Sequence, residues 1–111
     1  MSTAVSKYGE IVVLTPKAEL IGDQVAEFSA KAAELAQERA HSVVIDFSAV
    51  EGLDSAGRGA LLDLQTRCED DLGCVKLCEV DATCRKILEI TRLARRFEMF
   101  DDLESAVKSV A

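Results

Sequence analysis

Hydrophobic and polar positions in the first third of the chain predict two strands and a helix. Residues 4–8 and 11–14 have the composition of short strands, with a tight glycine turn between them and Pro16 as a stop signal. The Gly-Asp pair at 22–23 offers an N-cap to an amphipathic helix that runs to about Arg39. The apolar residues of this helix recur at helical spacing: Val25, Phe28, Ala32, Leu35 and Ala36.

The middle third predicts a buried strand followed by a second helix. Residues 42–47 are almost continuously apolar, as in a parallel strand covered on both faces. Asp54 and Ser55 are both good N-caps, so the helix begins at about Ser55, and Gly73 ends it. Its apolar stripe is predicted to consist of Leu61, Leu64, Cys68 and Leu72.

The last third predicts a strand at 75–80, a third helix capped by Asp81, a short edge strand at 97–100 and a last helix starting at the Asp pair 101–102. The apolar face of the third helix is predicted to contain Cys84, Ile87, Leu88 and Thr91. In the last helix the inward positions are Leu103, Ala106, Val107 and Val110.

This order of elements predicts one α/β domain over residues 1–111. The sheet is expected to be mostly parallel with four to five strands and about four helices, and the first strand is free to run in the reverse direction. In such sheets, function usually lies beyond the carboxyl ends of the strands. The loop at 54–57 is predicted to lie there.

The charge and the apolar runs narrow the classes of function. A net charge of −7 disfavours binding to nucleic acid or to anionic membranes and favours a protein partner. The first residues lack the pattern of a signal peptide, and the longest apolar runs have only the length of strands. We therefore expect a cytoplasmic domain with no membrane span.

All four cysteines are expected to be reduced, and Cys68, Cys78 and Cys84 are predicted to occupy core positions. Their C-x5-C-x3-C-x5-C spacing lacks the paired C-x2-C of zinc sites, and His41 is the only histidine. No metal and no cofactor are predicted. The cysteines are Cys68, Cys74, Cys78 and Cys84.

Four stretches resemble the STAS family of sulfate transporters and anti-sigma factor antagonists. They are VVIDFSAV at 43–50, LDSAGRG at 53–59, CRKILEIT at 84–91 and FDDLESA at 100–106. The resemblance implies a small STAS-like α/β domain that acts as an anti-sigma factor antagonist rather than an enzyme. It further implies that a serine kinase, itself the anti-sigma factor, binds the unphosphorylated domain and phosphorylates Ser55, and that a serine phosphatase reverses the modification.

The physical chemistry of the loop is compatible with that modification. A phosphate adds about −1.5 to −2 charges, which a helix N-terminus accommodates through its unpaired amides and dipole. The surface implied to bind the partner consists of Asp54, Ser55, Ala56, Gly57, Arg58, Glu19 and Asp23.

This chain departs from the family pattern at several positions. Ala56 stands where serine or threonine is usual, and Arg58 stands where an apolar residue is usual. Arg58 is three residues after Ser55, so it is either a solvated side chain or a partner for the phosphate. Pro16 replaces a glycine that is common after the second strand, and Glu19 falls near a customary aspartate. These departures bear on the choice of partner.

Other interpretations stay open at this stage. Asp54 and Ser55 together are sufficient for a plain helix cap, which would suit a constitutive scaffold or a transporter-associated subunit of the same fold. A serine hydrolase is disfavoured because the sequence around Ser55 is not G-x-S-x-G.

The lone carboxylate of Asp46 is interpreted as structural. The basic residues Arg92, Arg95 and Arg96 form either a solvated helix end or a docking patch.

Overall fold

A computed structural model describes residues 3–17, 19–38 and 42–110 of the chain. The strands are β1 (Thr3–Tyr8), β2 (Ile11–Pro16), β3 (Ser42–Asp46), β4 (Cys74–Cys78) and β5 (Glu98–Phe100). The helices are α1 (Gln24–Gln37), α2 (Ser55–Asp70), α3 (Ala82–Ile90) and α4 (Leu103–Val110), with a 3-10 turn at Leu93–Arg96. The predicted helix end at Arg39 and the histidine at 41 lie outside the described residues.

The five strands form one sheet in the order β1-β2-β3-β4-β5. β1 pairs antiparallel with β2, and the other three pairings are parallel. The α/β class, the mostly parallel sheet, the four helices and the reversed first strand are therefore confirmed. Each parallel crossover carries a helix, as the sequence order requires.

Both faces of the sheet are covered, which explains the apolar run in β3. Val43 and Ile45 point into the larger core under α1, α2 and α3, whereas Val44 belongs to a smaller cluster beneath α4. β2 alternates in the same way, because Val12 and Leu14 enter the larger core. A period of two on two buried faces leaves no polar position in the middle of β3.

The end of α2 differs from the prediction for Leu72. The helix ends at Asp70, and Leu72 is 97% exposed with a left-handed backbone at φ 64°. The Leu72 amide donates to the Glu69 carbonyl and the Gly73 amide to the Cys68 carbonyl, at 3.0 and 2.8 Å. This pairing closes the helix and turns the chain one residue before Gly73, so the predicted core position of Leu72 is wrong.

The end of α3 also differs from the prediction. Thr91 is exposed, and its hydroxyl donates to the Ile87 carbonyl at 2.7 Å. The following 3-10 turn, which the sequence did not predict, is fastened by the buried amide of Gln65. This amide donates to the carbonyl of Arg96 and accepts from the Val75 amide.

Within the described ranges, no helix has the length and apolar character that a membrane crossing requires.

The burial of the cysteines predicts their reactivity. Desolvation raises the pKa of Cys68 and of Cys84 to about 11, and that of Cys78 to about 12, whereas Cys74 is half-buried. Since the thiolate is the nucleophile, we expect iodoacetamide to label Cys74 first in the native protein and all four residues after unfolding in urea. Peptide mass spectrometry measures both patterns. Native labelling of Cys78 as fast as that of Cys74 would contradict this packing.

Candidate partner-binding site at the start of helix α2

Two loops at the carboxyl ends of parallel strands are joined through their backbones. Leu20, in the β2–α1 loop, forms an isolated parallel bridge with Leu53, in the β3–α2 loop. The Leu20 amide donates to the Gly52 carbonyl at 3.0 Å, and the Asp54 amide donates to the Leu20 carbonyl at 3.2 Å. Both leucine side chains are buried in the larger core. The loops therefore form one unit anchored in that core.

The Asp54 carboxylate completes this connection. Its Oδ1 accepts from the Gly57 amide at 2.9 Å, which caps α2, and its Oδ2 accepts from the Gly22 amide at 3.0 Å. These backbone hydrogen bonds lower the pKa of Asp54 below its usual value. The bond from the Gly57 amide has the largest effect, and the bond from the Gly22 amide has the next largest. Of the two predicted caps, Asp54 is the one used, and Ser55 is the first residue of the helix.

Gly57 is at the point where α2 approaches the other loop most closely. A Cβ atom there would lie 2.3 Å from the Leu20 carbonyl oxygen and 2.9 Å from Leu53 Cδ1. Two residues along, a Cβ atom on Gly59 would meet nothing within 4 Å. Gly57 is thus buried and positions the site, whereas Gly59 has no such constraint.

The predicted site residues come together around this junction. Ser55 and Ala56 are exposed on the first turn of α2, and Glu19 and Asp23 are exposed on the neighbouring loop. Ile21, which the sequence analysis missed, is 42% exposed between them. We call these five residues the α2 N-terminal surface. Asp54 and Arg58 are half-buried at its border.

The sequence contains a weak signal for Ile21. It is an apolar residue directly before the glycine at 22, outside the helical repeat of α1. The exposure of Ile21 follows from its position in the loop, where Leu20 takes the inward place.

Ser55 has no competing structural role. Among the residues that the structure describes, its hydroxyl has no hydrogen-bond partner, and the cap of α2 is supplied by Asp54. Two other polar residues considered in the sequence have structural partners. Asp46 accepts a hydrogen bond from the Ser48 amide at 2.9 Å and stabilises a local turn. Arg96 forms an ion pair with Glu69 at 3.0 Å. The described ranges contain no group of three or more potential metal ligands. An exposed hydroxyl on a capped helix N-terminus is suited to modification and binding.

Comparison with protein-family models identifies the class of protein. The STAS domain model matches residues 2–106, so the chain belongs to the STAS domain family. Comparison with curated protein sequences gave no match.

Solved structures share the fold at low sequence identity. The Thermotoga maritima protein TM1081, described as a candidate anti-sigma factor antagonist, superposes with a TM-score of 0.92 at 20% identity, covering 97% of this chain and 93% of that protein. An anti-sigma factor antagonist of Mycobacterium paratuberculosis gives 0.84 at 22% identity, with 98% and 92% covered. The Bacillus cell fate determinant SpoIIAA in its phosphorylated form gives 0.78 at 22% identity, with 99% and 100% covered.

The two glycines of α2 provide a matched pair of substitutions. We expect Gly57→Ala to lower the free energy of unfolding by about 1–3 kcal/mol, because the new methyl group meets a backbone carbonyl that cannot rotate away. Gly59→Ala should raise it by about 0.5–1 kcal/mol, since alanine is the better helix former in open space. Urea denaturation measures both. Equal effects would contradict the close approach of α2 to Leu20.

The lowered pKa of Asp54 predicts a pH-dependent contribution to stability. The ionised carboxylate stabilises the fold above the unfolded pKa of 3.8, and this contribution is lost as the pH falls through the lower folded pKa. Asp54→Asn keeps only one acceptor oxygen for two amides, so it should lower the urea midpoint near neutral pH, and the difference from the wild type should shrink in acid.

Asp102→Asn is the control for this experiment. Asp102 caps α4 by accepting from the Ser105 amide through Oδ1, and the hydrogen bonds that lower its pKa come from Ser105 of the same helix rather than from a second segment, so asparagine keeps the capping acceptor. We expect a smaller loss than for Asp54→Asn. Equal losses at neutral pH would show that the bond from Gly22 to Asp54 contributes little.

Proposed function

We propose that this chain is an anti-sigma factor antagonist whose binding to a serine kinase, itself the anti-sigma factor, is controlled by phosphorylation of Ser55. The observation that carries the proposal is the exposed, uncommitted Ser55 hydroxyl on the first turn of α2, inside a surface built from two joined loops. In this proposal the domain binds and releases proteins and catalyses nothing itself, and a serine phosphatase restores the unmodified form.

The geometry allows a phosphate without refolding. Helix α2 spans 16 residues, and its N-terminal amides and dipole favour a negative group at Ser55. The cap and the loop connection belong to Asp54, so they persist when Ser55 is modified. The effect of the phosphate is therefore directed outwards, at the partner.

The charge of the α2 N-terminal surface explains how a phosphate would release a partner. Ile21 supplies exposed apolar area, and Glu19 and Asp23 already supply negative charge beside it. A docked protein that covers Ser55 would have to desolvate an added phosphate of about −1.5 to −2 charges. A tenfold loss of affinity corresponds to only about 1.4 kcal/mol, which one uncompensated interfacial charge can exceed.

The comparisons support the same class of function. The chain belongs to the STAS domain family, and solved structures with its fold include proteins named as anti-sigma factor antagonists. One of these, SpoIIAA, has been solved in a phosphorylated form.

We expect Ser55→Asp to weaken binding to the cognate kinase at least severalfold and Ser55→Ala to bind while resisting phosphorylation. Ser55→Ala should change the free energy of unfolding by less than about 0.5 kcal/mol, because Asp54 supplies the cap. Calorimetry or biosensor titration with the kinase measures affinity, and mass spectrometry after incubation with kinase and ATP locates the phosphate.

Ser105→Asp is the matched control, since Ser105 is an exposed serine on the first turn of α4, beneath the opposite face of the sheet. Its added charge should leave the affinity unchanged. Phosphate on a residue other than Ser55 would refute the switch. Equal binding by the phosphorylated and unmodified chains would favour the constitutive scaffold or transporter-associated subunit instead.

A further inference from the structure

Arg58 places a positive charge near the N-terminus of α2. It lies in the first turn of α2, where its amide donates to the Asp54 carbonyl at 2.9 Å. A positive side chain near a helix N-terminus opposes the dipole, which favours negative groups there. An anion bound on the same turn would offset this unfavourable interaction.

No acidic residue of the described chain pairs with Arg58. Asp54 lies four residues before Arg58, and both oxygens of its carboxylate already accept hydrogen bonds from backbone amides. The residue four positions after it is Leu62, and the next acid on the helix, Asp63, pairs with Arg67 at 3.3 Å. Arg58 is half-buried, and among the described residues its guanidinium has no ion-pair partner.

Ser55 is within reach of this guanidinium. Residues three apart on a helix have Cβ atoms about 5–6 Å from each other, and long side chains lean toward the helix N-terminus. A side chain at position 58 that leans in this way can reach the turn that carries Ser55. The residues beside it, Ala56 and Gly59, are too small to block that path.

We propose that Arg58 binds the phosphate of phosphorylated Ser55 and holds it against the first turn of α2. Guanidinium and phosphate form paired, charge-assisted hydrogen bonds, which suits a dianion better than a lysine would. Phosphorylation then alters the surface at two positions, since it adds the phosphate and withdraws the free guanidinium. This inference rests on the proposed modification of Ser55 and assigns Arg58 as its positioning residue.

The test uses the full chain with phosphoserine incorporated at position 55 during synthesis, so that it requires no kinase. In a phosphorus NMR titration, we expect the second pKa of the phosphate, normally about 6, to be about 0.5 lower with Arg58 than in Arg58→Gln. Arg58→Lys should give an intermediate value. Asp54, directly before the phosphoserine, and the charged residues of the neighbouring loop, Lys17, Glu19 and Asp23, are the same in every variant, so the difference isolates Arg58.

Thermal unfolding separates this role from a merely structural one. Phosphorylation should raise the melting temperature more in the wild type than in Arg58→Gln, whereas a packing role would shift both forms equally. Arg67→Gln, which removes the same charge from the far end of α2, should leave the phosphate pKa unchanged.

An unchanged phosphate pKa in both Arg58→Gln and Arg58→Lys would overturn the inference. The switch itself would stand or fall separately, because it is decided by whether the kinase modifies Ser55 and loses affinity as a result.

Discussion

The candidate site depends on one carboxylate that accepts two backbone hydrogen bonds from separate parts of the chain. Asp54 starts α2 by accepting from Gly57, and it fixes the β2–α1 loop by accepting from Gly22. The bond from Gly57 alone would be enough to cap a helix, and the bond from Gly22 alone would be an ordinary loop contact. Because one side chain makes both, the direction of α2 and the position of the neighbouring loop are set together.

This arrangement separates the structural role from the proposed regulatory one. Adjacent residues share a helix N-terminus, yet Asp54 is committed to the backbone and Ser55 is exposed. A serine that capped the helix would lose its hydrogen bond on modification, so phosphorylation would weaken the cap. With the cap supplied by its neighbour, Ser55 is free to carry charge without that cost.

Local patterns were enough to predict most of the architecture. In β3 and α1, the side chains that are buried follow directly from the type of secondary structure. The spacing of apolar residues in the sequence therefore predicts both elements. Leu72 shows where this reasoning fails. It continues the stripe of α2, but the helix closes at Asp70 through backbone pairing, and the side chain turns outwards. Helix ends are set by such pairings rather than by hydrophobicity.

The candidate site was predictable only in part, for a related reason. The cap residues near Ser55 carry a local signal, whereas the bond from Gly22 to Asp54 joins residues 32 positions apart. Contacts of that kind exist only once β2 and β3 are paired in parallel, which brings both following loops to one edge of the sheet. The exposure of Ile21 has the same origin, because the bridge between Leu20 and Leu53 decides which of the two apolar neighbours faces inwards. The sheet register therefore determines the chemistry of the surface that a partner would meet.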